Sequence, residues 1–451
     1  MIVATPQHND RLRAGLKALS AHDRDYWSFR NNAHREHGHG LFQYPAMMVP
    51  QVARAVLNEA CKVHPEIERV GDPFVGSGTM LTESMLRGLS FTGIDINPLA
   101  ILLCRTKAGP FFIDALKEKA AEVNGRIHAD RRSGVEIDFP NRDKWFRRDV
   151  QRALSKIRRA IVGERALWAR RFFWIALAEA VRLTSNSRTS TFKLHIRCER
   201  ERQSRDCDPI AVFRRTMNRN LNHLGVQASL LSCAGHLRQG RYKMTAEVTL
   251  GDSRQTRGHD QWDIVVTSPP YGDNATTVPY GQYSYLPLQW IDLADIDPGA
   301  DAGCLRSTHE IDTRSLGGRK RVEITDQQVL SDRSVAFRRY LASLRDEPPD
   351  RAKRVTAFFR DLAACIDPVS RRLRAGGLIV WIIGNRKVGG RRMPLDDILA
   401  ELLGSQNVLL LCRLTRTIPS KRMALKNNIA DTMSTESILV MRKAVCHGEG
   451  G

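Results

Sequence analysis

The chain lacks the marks of a membrane, secreted or metal-scaffold protein. No apolar run approaches the ~18 residues that cross a bilayer, and the best, Leu378–Ile383, is strand-sized. The opening, MIVATPQHND, has no basic stretch followed by an apolar core and small residues, so no signal peptide is expected. Nine cysteines are scattered singly, with no C-x-x-C and no His/Cys pair at zinc-ligand spacing. That spacing argues against a disulfide scaffold or zinc finger, and for free thiols in a reducing cytoplasm. Internal repeats and low-complexity tracts are absent. Acidic residues are the scarce class: 49 Asp and Glu face 70 Lys and Arg, a net charge of +21. Such an excess points to a polyanionic partner, and by itself fits nucleic acid, a membrane surface or a ribosome equally well.

At 451 residues and 42% hydrophobic, the chain has material for a sizeable core, as one large domain with insertions or as two. The basic charge is uneven. Residues 141–220 hold about 21 Lys/Arg against about 8 Asp/Glu. Trp168, Phe172, Phe173, Ile175, Ala176 and Val181 recur there at helical spacing, which predicts a basic helical module, not a disordered tail. Either side alternates strands and helices. Residues 66–104 read as strand, Gly-rich turn, helix, strand, acidic turn, helix. Ala246–Leu250 and Asp263–Val266 read as short strands. Beyond 354 come a helix, Leu378–Ile383, the helix Leu395–Leu403, and strands near Val408–Leu414 and Ser437–Met441. This alternation predicts an open, mostly parallel α/β sheet. Residues 272–350, rich in Gly, Pro, Asp, Ser and Thr and poor in periodicity, read as a long loop.

Four strand ends carry chemistry. Asp72-Pro73-Phe74-Val75-Gly76-Ser77-Gly78-Thr79 places a glycine pair between a strand and a helix, where backbone can approach a ligand closely. It is neither a dinucleotide G-x-G-x-x-G nor a Walker loop, and alone could be a plain turn. Asp95, closing Phe91–Ile96, stands about where nucleotide-binding folds place a ribose-binding carboxylate, although a helix N-cap would use the same residue. Asp252-Ser253 offers a third acidic turn, able to accept from an adenine amino group or to form a simple Asx turn. Ser268-Pro269-Pro270-Tyr271 follows an apolar strand. Two prolines fix the turn and leave carbonyl oxygens without local partners, beside a hydroxyl and an aromatic ring.

Together these residues resemble the S-adenosylmethionine-dependent DNA amino-methyltransferases, which methylate the exocyclic nitrogen of cytosine (N4) or adenine (N6). Asp72–Thr79 resembles their methionine-cradling motif and Ser268–Tyr271 their catalytic motif. Tyr44-Pro45-Ala46, ahead of a helix over Met48–Ala60, is similar to the segment that closes on the methionine end of the cofactor. Asp95 and Asp252 match the ribose and adenine contacts. Ile382-Ile383-Gly384-Asn385-Arg386 and Ile418-Pro419-Ser420-Lys421-Arg422-Met423 resemble later family strands and loops. The resemblance implies a Rossmann-like methyltransferase fold and S-adenosylmethionine as cofactor. The implied cofactor contacts are Tyr44, Asp72, Phe74, Gly76, Gly78, Thr79, Asp95, Asp252 and Ser253, with Ser268, Pro269, Pro270 and Tyr271 catalytic and no metal. Hydrogen-bond acceptors that draw the amine's protons out of plane would restore its nucleophilicity. Ser268 and a Pro-Pro carbonyl could supply two. Tyr271 is expected to stack on the extruded base, a role that a phenyl ring would fill as well. No Pro-Cys nucleophile follows the catalytic strand, which counts against carbon-5 methylation.

The expected organisation is an N-terminal segment (1–40), a discontinuous catalytic domain (41–104 and 246–443) that includes the 272–350 loop, a basic helical insert (105–245) and a tail (444–451). The insert is expected to contact double-stranded DNA, with Arg188, Lys193 and Arg197 as candidate phosphate ligands. Serine at the head of the catalytic motif favours cytosine N4 over adenine N6, because a hydroxyl can accept from N4–H while donating to ring N3. RNA guanine-N2 methylation and non-catalytic nucleic-acid binding remain as alternatives. A cytoplasmic, nucleoid-associated monomer or weak dimer is expected, serving with a cognate restriction endonuclease and without a membrane.

Overall fold

The computed structural model describes residues 5–23, 25–30, 35–256, 261–273, 277–319, 321–388, 390–418 and 433–445. The Pro419-Ser420-Lys421-Arg422-Met423 stretch and the end of the tail lie outside the described residues. The core is a seven-stranded sheet. Its strands are β1 (Arg69–Asp72), β2 (Ser90–Asp95), β3 (Ala246–Leu250), β4 (Trp262–Thr267), β5 (Leu373–Ile383), β6 (Val408–Thr417) and β7 (Thr435–Lys443), in the order β6-β7-β5-β4-β1-β2-β3. All pairings from β5 to β3 are parallel, while β7 runs antiparallel between β5 and β6. This is a Rossmann-like α/β methyltransferase fold.

Strand order follows from burial. β4 is buried at every position, as a central parallel strand covered on both faces must be, and its Ile264, Val265 and Val266 supply the continuous apolar run. The chain leaves β1 towards β2 and β3, then returns to the other side through β4 and β5. The switch point therefore lies between β1 and β4, where Val70 faces both Phe91 and Ile264 in register.

Helices α1 (Pro6–Ala18), α2 (Pro50–Val63), α3 (Thr79–Met85) and α4 (Pro98–Lys107) precede the insert. The insert contains α5 (Ile113–Ala129), α6 (Arg148–Val162), α7 (Leu167–Thr184) and α8 (Pro209–Cys233). Phe172, Phe173, Ile175, Ala176 and Val181 of α7 are buried, and the helix is apolar nearly all round from Phe172 to Val181. It packs on α4, α6 and α8, and shares one apolar cluster with strand residues Val70, Phe91 and Ile264. Many insert arginines are held internally. Arg159 pairs with Asp130 and Glu136, Arg182 with Glu179, and Arg170 with Asp295. The raw charge count of this segment therefore overstates the charge free for a partner.

Residues 272–350 correct the expectation of a long loop. They carry α9 (Tyr280–Trp290) and shorter helices at Leu293–Ile296, Glu310–Arg314, Ile324–Arg333 and Val335–Ser343. Two physical reasons hid them. α9 is buried around most of its circumference and so shows no amphipathic stripe, and it holds Pro287 internally. Leu293–Ile296 and Val335–Ser343 start at side-chain caps, Asp292 and Ser334, residues that also read as turn formers. The helices α10 (Pro349–Arg372) and α11 (Leu395–Gly404) cover the β5 side.

Candidate active site

At the carboxyl ends of β1, β2, β3 and β4 lies a cleft, open to solvent on one side. Tyr44, Asp72, Phe74, Gly76, Thr79, Asp95, Asp252, Ser253, Ser268 and Pro270 all line it. Segments separated by some two hundred residues thus converge on one cavity. Gly78, Pro269 and Tyr271 are not among the lining residues.

Each turn is braced by its own side chains. Gly78 caps α3 with φ +74, and a Cβ there would stand 2.8 Å from Cys104 Sγ, so only glycine fits. Lys107, fully buried, donates to the Ser77 carbonyl at 2.6 Å from beneath the turn, and burial pulls its pKa down to about 8. Asp72 Oδ1 accepts from Phe74 N (3.0 Å) and Thr267 Oγ (2.6 Å), tying the glycine turn to the end of β4. Asp95 accepts from Gly76 N and Asn97 N, both at 2.8 Å. Among the described residues neither carboxylate meets a cation, and burial pushes Asp72 up to about 7 and Asp95 to about 6. Asp252 is paired with Arg254, whose Nε lies 2.9 and 2.8 Å from its two oxygens. Ser253 donates to the Pro73 carbonyl.

Ser268 Oγ lies 3.2 Å from Tyr271 Oη, which donates to Glu436 Oε1 at 3.0 Å. The Tyr271 ring rests against Gly384, where a Cβ would lie 2.9 Å from the ring and closer still to Met433. The cleft also holds residues that sequence reasoning did not single out. Tyr280 stacks on Tyr44 with centroids 5.9 Å apart. Asn97 donates to Tyr44 Oη (3.0 Å) and to Ser284 Oγ (2.7 Å). Ile311, Arg314 and Leu316 close the wall from the 272–350 segment. Asn97 could have been found from its place two residues beyond Asp95, ahead of a proline. The others had no local signal.

Arg188, Lys193 and Arg197 are brought together elsewhere, on a turn of chain closed by the Ser187–Ile196 bridge. Arg188 N donates to His195 O at 2.8 Å. Arg188 is half exposed and Lys193 exposed, while Arg197 is more covered and, like Arg188, lies near Glu201. Phe192 packs on Tyr283 and Leu194 N donates to Gln282, so this hairpin sits on α9, the helix whose first residue lines the cleft.

Outside the cleft, His37, His39 and Glu83 bring ligand-type atoms within 4.8 Å of one another. Both oxygens of Glu83 are already taken: Oε1 by His39 and Arg54, each at 3.1 Å, and Oε2 by Arg54 (3.2 Å) and Arg87 (3.0 Å). Two guanidinium groups on one carboxylate make this an ion-paired core instead of a cation site.

The strand order, one antiparallel strand within the seven-stranded sheet and a cleft at the switch point are those of a Rossmann-like methyltransferase fold. The chain is 31% identical over 442 residues to the type II methyltransferase M.MvaI of Kocuria varians, covering 93% of this chain and 94% of that protein. It belongs to the type II methyltransferases, enzymes that modify DNA. The type II methyltransferase M.MjaII of Methanocaldococcus jannaschii is 34% identical over 131 residues, 27% of this chain and 24% of that one. No family model matches. The rRNA methyltransferase aviRa of Streptomyces viridochromogenes aligns over 89% of this chain and 87% of its own at 12% identity, with a TM-score of 0.32, too low to carry an argument. The fold and the family imply S-adenosylmethionine as the methyl donor. Among the described residues no helix is long and apolar enough to cross a membrane.

Proposed function

We propose that the protein methylates the exocyclic N4 amine of cytosine in double-stranded DNA, as the modification half of a restriction–modification pair. The carrying observation is that Ser268 and Pro270 line the same cleft as Gly76, Asp95 and Asp252. The cleft suits a nucleoside cofactor: a glycine turn in which Gly76 and Gly78 take positive φ, carboxylates at three strand ends, and apolar walls from Phe74, Ile96 and Leu316. Gly76, Gly78 and Thr79 would hold the methionine end, Asp95 the ribose and Asp252 the adenine, the last by exchanging Arg254 for the ligand. The bound cofactor supplies an electrophilic methyl group. The protein's own work is to hold the amine in line and to draw its protons out of the ring plane with Ser268 Oγ and a Pro-Pro carbonyl. The exposed Arg188 and Lys193 and the more covered Arg197 would meet phosphates beside α9.

A second reading, adenine N6, stands level with the first on one contact. Tyr271 gives its proton to Glu436, so the Ser268 hydroxyl must donate to Tyr271, and the donation to ring N3 that favoured cytosine loses its proton. Mass spectrometry of digested product DNA separates the two readings. Ser268→Ala should cut turnover about a hundredfold while leaving cofactor affinity intact. Full activity in that variant would remove the mechanism.

A further inference from the structure

We propose that Glu436 is the end of a proton relay that starts at Ser268 and runs through Tyr271. The proposal rests on the amino-methyltransferase reading above, and holds for either base. Burial, with Glu436 alongside, keeps the Tyr271 phenol protonated. Its one proton is directed at Glu436 Oε1, 3.0 Å away. In the 3.2 Å contact with Ser268 it can therefore only accept. Ser268 is thereby oriented with its proton turned away from the substrate and its lone pairs free for an amine in the cleft it lines. Glu436 is fixed from behind. Arg416, itself buried, bonds Oε2 and anchors its Nε on the Trp27 carbonyl at 3.0 Å, which leaves Oε1 for Tyr271. Gly384 leaves the ring its room, since a Cβ there would stand 2.9 Å from it. Among the described residues, the charged or titratable groups facing the relay are Arg416 on β6, Tyr271 beyond β4, and Tyr280, which acts on Tyr271.

An amine that has gained a methyl group carries a positive charge and one proton in excess. That N–H bond breaks as an O–H bond forms on Ser268 Oγ. The Ser268 proton passes to Tyr271 Oη, and the Tyr271 proton to the Glu436 carboxylate. The nitrogen ends neutral, both hydroxyls are regenerated, and the charge is cancelled on a carboxylic acid whose side chain is 13% exposed and can return the proton to water. Glu436 does not line the cleft and so acts only through its neighbours. This gives the Tyr271 hydroxyl a role that a phenyl ring cannot fill.

The test is single-turnover methylation of DNA by the full-length protein with S-adenosylmethionine. Tyr271→Phe and Glu436→Gln should each slow the methylation step about tenfold at neutral pH. Both should leave calorimetric cofactor affinity unchanged. The double variant should be no slower than the slower single one, because the groups act in series. In the cofactor-free protein labelled at tyrosine Cζ, the resonance lost in Tyr271→Phe should shift in Glu436→Gln. Tyr271→Phe leaves the Arg416–Glu436 pair intact, so the test survives poor folding of the other variant. Full rate in Tyr271→Phe, or additive losses in the double variant, would overturn the relay. Activity lost in Ser268→Ala but kept in both relay variants removes the relay alone, whereas a wild-type protein that methylates no DNA removes the reading beneath it.

Discussion

Asp72 and Asp95 end β1 and β2, and Glu83 sits on α3 between them in sequence. All three carboxylates are largely withdrawn from water, yet they are held differently. Among the described residues, Asp72 and Asp95 meet only backbone amides and one hydroxyl, and burial moves them up to about 7 and about 6. Burial would raise Glu83 too, but hydrogen bonds from His39 and Arg54 outweigh it and hold the acid at about 2. The cation, not the depth, decides the direction. The cleft keeps acids whose charge is only partly stabilised from within, where incoming ligand hydroxyls would supply the missing donors. The core keeps one whose charge is fully compensated.

The contrast is tested most severely at Glu83. Glu83→Gln strands two guanidinium groups beside a neutral amide and should cost about 3–5 kcal/mol of stability in chemical denaturation. A loss comparable to a surface substitution would show that the ion pairs do not hold the core. At the cleft, Asp95→Ala should leave the protein folded but weaken cofactor binding by about 2–3 kcal/mol, read by calorimetry. Unchanged affinity defeats the ribose assignment.

The sign of the pH response separates the two regions as well. Asp72 is raised in the folded state above its ordinary 3.8, so its contribution is present at low pH and lost as pH rises towards about 7. His37 and His39 are lowered by burial from 6.5 to about 4, so theirs is present above 6.5 and lost as pH falls towards 4. The two oppose each other over one window. Wild type should gain on Asp72→Asn as pH drops from 7 to 4, with a slope of up to about 1.4 kcal/mol per unit, measured by urea titration at each pH. Parallel curves would mean that Asp72 stays charged. The smallest effect is expected at the hairpin: neutralising Arg188 or Lys193 should lower the slope of log affinity against log salt by about one each. An unchanged slope places the phosphate contacts elsewhere.

Much of the cleft is legible in the amino-acid sequence. The strand ends at Asp72, Asp95, Asp252 and Ser268 are local patterns, a strand followed by a turn residue, and they meet at the cleft because parallel strands align their carboxyl ends. Tyr280, Arg314 and Glu436 are not legible there, since their place depends on which strands and helices pack together. Glu436 faces Tyr271 only because β7 slots between β5 and β6, and nothing near it in sequence says so. The basic segment is helical, as its apolar spacing predicts. Its free charge is smaller than its composition suggests, because a residue count cannot tell Arg159, locked to Asp130, from Lys193 on the surface.

The position of β7 bears on how the molecule is made. A strand that runs between two others, but is synthesised after both, leaves the sheet divided until it arrives: β5 has an open edge and β6 has no strand to join it to the rest. A chain released before Thr435 would not be a trimmed enzyme, but one with a missing keystone and an exposed edge ready to pair with a neighbour. Activity should therefore appear only once Thr435–Lys443 has been added, and stops ahead of that strand should yield aggregates where a lesser activity might have been looked for.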